Sequence, residues 1–342
     1  MKAMVIEKIC DLSKEDKPLS LVELPIPKIE SNEILVEVAA CGVCHTELDE
    51  IEGRTAPPKL PVIPGHQIVG RVVEKGGGVT KFNIGDRVGI GWIYAACGSC
   101  EFCKNGLENL CNDFKATGRD MHGGYAEYFK INENFAVKIP DFFNDYEAAP
   151  LLCAGAIGYR SLKLAGIKNG DRLGLTGFGA SAHLVLKLVK FIYPNCDVYV
   201  FARNPSEREF ALSLGAVWAG DITDVSPEKL HAIIDTTPVW KPIVEGMKNL
   251  LPAGKMIINA IRKEDLDKGY LLNFKYEEHI WMEKVIKSVA NVTLKDIEEF
   301  IEVAAKAGIK PEYQLYELTE ANIALKELKN KKIRGAKVLK IR

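Results

Sequence analysis

The sequence predicts an α/β chain of two domains, a mostly β segment followed by a doubly wound parallel sheet. Three observations carry that prediction. The chain has 342 residues, which is length for about two domains. Up to about residue 150 it reads as short alternating segments broken by Gly and Pro. From roughly 153 to 287 apolar strands alternate with longer helical runs, the βαβ texture of a parallel sheet.

Taken in order, MKAMVIEKIC, ILVEVAACGV, QIVGRVVEKGGGV, GDRVGIGW and GGYAEYFKI have the texture of half-buried strands. In the second stretch DRLGLTGFG, CDVYVFAR, HAIIDTT and GKMIINAI read as strands, with ASAHLVLKLVKFI and SEREFALSLGA as helices between them. After Val289, LKDIEEFIEVAAKAGI reads as an amphipathic helix and GAKVLKI as a last strand that could return to the first domain. The boundaries expected are 1–152 with 288–342 for one domain and 153–287 for the other.

Composition narrows the function classes. Forty-five basic against forty-six acidic side chains leave a formal charge of −1, so there is no broad electrostatic footprint for nucleic acid or an anionic membrane. Small molecules are the expected partners. The N-terminus lacks a signal-peptide apolar stretch and no 18-residue apolar run follows, so a soluble, cytoplasmic protein is expected. Nine cysteines make an odd set, and four of them crowd between Cys97 and Cys111, a pattern that suggests metal before disulfides.

Cys97, Cys100, Cys103 and Cys111 stand as C-x2-C-x2-C-x7-C, close enough for one loop to wrap a Zn²⁺ tetrahedrally. A closed four-sulfur site has no open position, so its expected role is to staple the loop. An iron–sulfur site begins with the same run, but the spacing to its fourth cysteine is shorter and Asn112 stands where its proline would be. Unliganded, buried cysteines are the third reading. Cys44, His66 and Cys153 lie far apart in glycine-rich segments, and each alone reads as a core residue.

The run Gly174-Leu-Thr176-Gly177-Phe178-Gly179 follows an apolar strand and opens a helix, as a phosphate-binding turn requires. In this register Thr176 takes the place of the second glycine, and Gly177 beside it admits a pyrophosphate to the helix N-terminus. The next strand ends near Ala202, where an acid would bond the adenosine ribose of NAD; none is there, and Asp197 lies at the wrong end. Arg203 follows the right end and suits a 2′-phosphate, so NADP is expected over NAD.

In this order, GVCHTEL, PGHQIVGRVVEKGGGV, the four-cysteine loop, LLCAGAIGY and GFGASAHLVLKL resemble the medium-chain zinc-dependent alcohol dehydrogenase family, essentially from end to end. The resemblance implies a GroES-like β-rich catalytic domain and a Rossmann dinucleotide-binding domain with the active cleft between them. It implies two zincs per chain, the catalytic one held by Cys44 (not Cys41, which lies outside the motif), His66 and Cys153, with a fourth position open to a small primary alcohol or aldehyde. Zinc as Lewis acid would lower the alcohol's pKa so that hydride can pass to the nicotinamide. The resemblance further makes Thr46 the proton carrier, His45 and Arg334 contacts of the cofactor pyrophosphate, Glu47 an orienting carboxylate and Trp92 a wall of the substrate cleft. Two departures stand out: Asp49 where many relatives have the His that ends the proton relay, and Gln67 where many have Glu. A homotetramer is expected. Two alternatives remain: a relative acting on polyols, aryl alcohols or glutathione adducts, and a non-catalytic nucleotide- or zinc-binding protein.

Overall fold

The computed structural model describes residues 1–330 and 335–342. The chain divides into two compact units, Met1–Cys153 with Val292–Arg342, and Ala154–Asn291.

The first unit is built on a seven-stranded sheet whose main path runs Tyr313–Glu317, Ala336–Lys340, Glu33–Val43, Gln67–Lys75, Arg87–Ile90, Val137–Lys138, with Tyr128–Asn132 also paired to Glu33–Val43. Glu33–Val43 is its spine. The strand Ala336–Lys340 lies antiparallel to it, Lys337 opposite Val43, which brings it beside Cys44, and Tyr313–Glu317 forms the edge beyond it. Alternation along this strand buries Ile34, Val36, Val38 and Ala40, and Ile68, Val72, Val88 and Ile90 from neighbouring strands complete one apolar core. Each such side chain removed from water stabilises the fold by about 1.5–3 kcal/mol. Leu294–Lys306 forms the amphipathic helix the periodicity predicts, capped by Thr293, whose hydroxyl accepts from Asp296 N.

The second unit is a six-stranded, all-parallel sheet in the order Trp218–Gly220, Asp197–Phe201, Arg172–Thr176, Leu230–Asp235, Leu250–Ile258, Val285–Ser288. Counted within the unit this is the 3-2-1-4-5-6 order of the doubly wound dinucleotide fold. Its central strands are apolar on both faces, with Leu173, Leu175, Val198, Val200, Ile233 and Ile234 fully buried. Ala180–Ile192 spans the predicted helix, and Pro205–Ser213 begins with Pro at its first turn under an Asn204 cap. Among the described residues no helix is long and apolar enough to cross a membrane.

Candidate active site and metal centres

Three distant segments of the first unit converge. Cys44 immediately precedes the short helix His45–Ile51, His66 immediately precedes the strand Gln67–Lys75, and Cys153 sits in a π-helical turn, Leu151–Gly155, between two α-helical stretches. Such a turn inserts one residue into the helical ladder and re-aims its side chains. One donor atom from each of Cys44, His66 and Cys153 lies within 4.8 Å of the others. Gly65 lets His66 approach: its φ is +95°, and a Cβ there would fall 2.3 Å from the Tyr125 ring.

Glu47, wholly buried, holds two of the three donors in place. Its Oε2 accepts from the Cys44 backbone N at 2.6 Å, and its Oε1 lies 2.9 Å from His66 Nδ1. With Nδ1 against a carboxylate, Nε2 is the nitrogen left for a metal. A hydrogen bond from Cys153 holds the Cys44 thiol well below its ordinary range, and the same bond, then burial, pushes Cys153 well above it. Burial opposes a proton on His66, but Glu47 and then Cys44 outweigh it and raise the imidazole. The set draws positive charge to its centre, and two thiolates with a neutral imidazole fit a dication with one position open.

Around this cluster Thr46 Oγ1 lies 3.5 Å from Cys44 Sγ, and the Trp92 ring meets His66 edge-on at 5.0 Å between centroids. Trp92 is buried and His45 is exposed. Asp49 Oδ1 accepts from Arg54 Nε at 2.6 Å, so this carboxylate is committed to an ion pair. Gln67 is buried at the start of its strand.

The other cluster is local. The Sγ atoms of Cys97, Cys100, Cys103 and Cys111 lie within 4.8 Å of one another, with Cys97 and Cys103 at 3.9 Å. Tetrahedral Zn–S bonds of about 2.3 Å place sulfurs about 3.8 Å apart. The spacing suits one ion rather than a multi-iron core. Backbone N–H groups of Cys97, Cys100 and Cys103 point at Cys111, Cys97 and Cys100 sulfurs at 3.3 to 3.5 Å, which favours thiolates. Hydrogen bonds from the Ser99 and Cys100 backbones bring Cys97 down to about 6, while burial and the bond to Cys100 push Cys103 up to about 12.

The glycine turn corrects the expected register. Gly174 lies within the strand Arg172–Thr176, paired to Tyr199 and Ile233, and takes no part in the turn. Thr176 ends that strand, and its hydroxyl donates to buried Asp235 Oδ1 at 2.5 Å, with Lys263 bonded to the other oxygen. It is a clamp between strand ends rather than a substitute for a glycine. The turn begins at Gly177, with φ +75° and a Cβ position 2.9 Å from Thr237 Cγ2. The fingerprint is therefore Gly177-x-Gly179-x-x-Ala182, with Ala182 fully buried where the helix packs on the sheet. The G-x-G-x-x-A spacing was there to be read; the extra Gly174 obscured it. Phe178 turns inward against Phe210, centroids 5.7 Å apart, so only its backbone faces the turn. Arg203 is exposed with no side-chain partner among the described residues, and Arg334 lies outside them.

Residues 30–141 match the alcohol dehydrogenase GroES-like domain. Over 95% of its length the chain is 39% identical to 93% of the probable alcohol dehydrogenase AdhA of Mycobacterium tuberculosis (strain CDC 1551 / Oshkosh). It is 34% identical over its full length to 99% of an alcohol dehydrogenase of Geobacillus stearothermophilus. The CAD structure from Helicobacter pylori complexed with NADP(H) superposes with a TM-score of 0.85 at 25% identity, over 99% of this chain and 97% of that one.

Proposed function

This chain belongs to the zinc-dependent medium-chain alcohol dehydrogenase family, and on that premise we propose that Cys44, His66 and Cys153 hold its catalytic zinc while Cys97, Cys100, Cys103 and Cys111 hold a structural one. Its reaction is the oxidoreduction of an alcohol–aldehyde pair with a nicotinamide dinucleotide. The observation that carries the site assignment is the meeting of three donors from distant segments, two of them tied to the single carboxylate Glu47.

A zinc held by Cys44, His66 and Cys153 would supply Lewis acidity toward the substrate oxygen. The protein does the rest. Cys44 and Cys153 offset the ion's charge, and Glu47 fixes the tautomer of His66. Thr46, its hydroxyl beside Cys44, takes the proton that an alcohol gives up and hands one back to an aldehyde. Trp92 walls the reacting carbon from water. With Asp49 engaged by Arg54, the proton leaves Thr46 by another route than the His of many relatives.

Phe178 and Gly179 offer backbone N–H groups to the pyrophosphate at the N-terminus of Ala180–Ile192, the Gly177 N–H being bonded to Phe201 O at 2.8 Å, and His45 adds a contact. NADP is the cofactor the chain favours, because Arg203 stands unpaired at the end of Asp197–Phe201 where no acid meets a 2′-OH. A homo-oligomer, a tetramer by our reading, fits the outer strand Val285–Ser288, every residue of which is exposed, beside exposed Trp281 and Met282. Light scattering that gave a monomer would overturn this. Nine cysteines, all thiols, suit a cytoplasmic location.

The test is absorbance at the reduced-nicotinamide band with zinc-quantified protein, offering NADPH and NADH separately with benzaldehyde and butanal. Oxidation of NADPH that stops on zinc removal supports the reading; no turnover at two zincs per chain defeats it.

A further inference from the structure

The Trp92 indole is held from two sides. His66 meets it edge-on, centroids 5.0 Å apart and planes at 86°, and the Arg119 guanidinium sits over its ring with Cζ 5.9 Å from the centroid. One indole therefore separates a fixed cation from the imidazole of the metal cluster, and all three residues belong to the first unit.

Arg119 is pinned. Its Nε and Nη2 donate to Asp120 Oδ1 and Oδ2 at 3.1 and 2.8 Å, and Asp120 in turn accepts from the Ala116 backbone N at 2.7 Å. A guanidinium has five donors, and Asp120 takes two. The Nη1 edge has no acceptor among the described residues, and the side chain is 31% exposed. Buried Glu50 also senses Arg119, but neither of its oxygens is hydrogen-bonded to the guanidinium or to any other described group. It leaves the charge of Arg119 to Asp120 and to whatever enters from solvent. A positioned guanidinium with an open donor edge is a receptor for a second carboxylate, by directional bonds rather than net charge.

We propose that Arg119 sets substrate specificity: its open Nη1 edge receives a carboxylate carried by the substrate, so that the site favours short aldehydes with an acidic far end over neutral aldehydes of the same length. The inference rests on the reading that Cys44, His66 and Cys153 bind the metal that takes the reacting oxygen. The two legs through Trp92, 5.0 and 5.9 Å, keep Arg119 within about 11 Å of the His66 ring, an upper bound that a short chain carrying an aldehyde at one end and a carboxylate at the other satisfies.

The experiment compares succinic semialdehyde with butanal in zinc-loaded wild type, Arg119→Leu and Arg119→Lys. Each turnover consumes one aldehyde, one reduced nicotinamide cofactor and one proton, and yields the alcohol and oxidised cofactor. Wild type should prefer the semialdehyde in kcat/KM by about tenfold or more, as one charged hydrogen bond gives. Arg119→Leu should lose that preference through KM, with butanal within about twofold of wild type; Arg119→Lys, which keeps charge without the fork, should fall between. Tryptophan fluorescence titrated with 4-hydroxybutanoate gives a readout independent of turnover, with binding about tenfold weaker in Arg119→Leu. Equal changes for both aldehydes, or a wild type that prefers butanal, would overturn the inference and spare the metal reading. Arginine-dependent binding without turnover of either aldehyde would do the reverse.

Discussion

Four thiols gather from the single loop 97–111 in one metal cluster, whereas the other draws two thiols and an imidazole from segments between Cys44 and Cys153. The local cluster grades from exposed Cys97 to buried Cys111, and its sulfurs are set by N–H groups of its own backbone. The distant cluster is deeper, and a buried carboxylate, Glu47, orients it. A set of donors that the chain supplies within one loop closes around an ion and strengthens that loop. A set that the fold must assemble leaves one position to a substrate. On the proposed assignment the first cluster serves stability and the second chemistry.

The comparison breaks at several points, taken here from the largest effect. Cys44→Ser or His66→Ala should lower kcat by about a thousandfold or more, since a Lewis acid contributes several kcal/mol to the barrier. Circular dichroism should show both variants melting near wild type. Glu47→Gln should weaken zinc binding or turnover by about 10–100-fold, as loss of an orienting partner does; chelator competition measures it, and an unchanged affinity would make Glu47 a mere core residue. Cys103→Ser should behave oppositely to Cys44→Ser, with turnover at low temperature largely kept and the melting temperature lowered by about 10 °C. Arg203→Asp should move the NADPH-to-NADH ratio of kcat/KM toward NADH by about tenfold, one charged contact, without moving the melting temperature. An unchanged ratio would return Arg203 to the surface.

How much of this was legible in the sequence follows the same division. The four-cysteine loop could be read because its donors share one stretch of chain and spacing alone implies geometry. The parallel sheet could be read because its central strands are apolar on both faces and separated by helices such as Ala180–Ile192. Cys44, His66 and Cys153 were not readable as a cluster from their own surroundings; only resemblance joined them, since long-range convergence leaves no local period. The glycine turn was misplaced by three residues because Gly174, an interior strand position, mimics a turn glycine in one dimension. The Thr176–Asp235–Lys263 clamp and the Trp92–Arg119 stack were invisible, because each joins residues whose meeting depends on how strands and turns return in space.

The central claim, that the two clusters do separate work, is tested most directly by the zinc content of purified Cys44→Ser beside wild type. The account predicts two zincs per chain in wild type and one in the variant, with turnover lost and the melting temperature kept. A variant that retained two zincs and full turnover would contradict it.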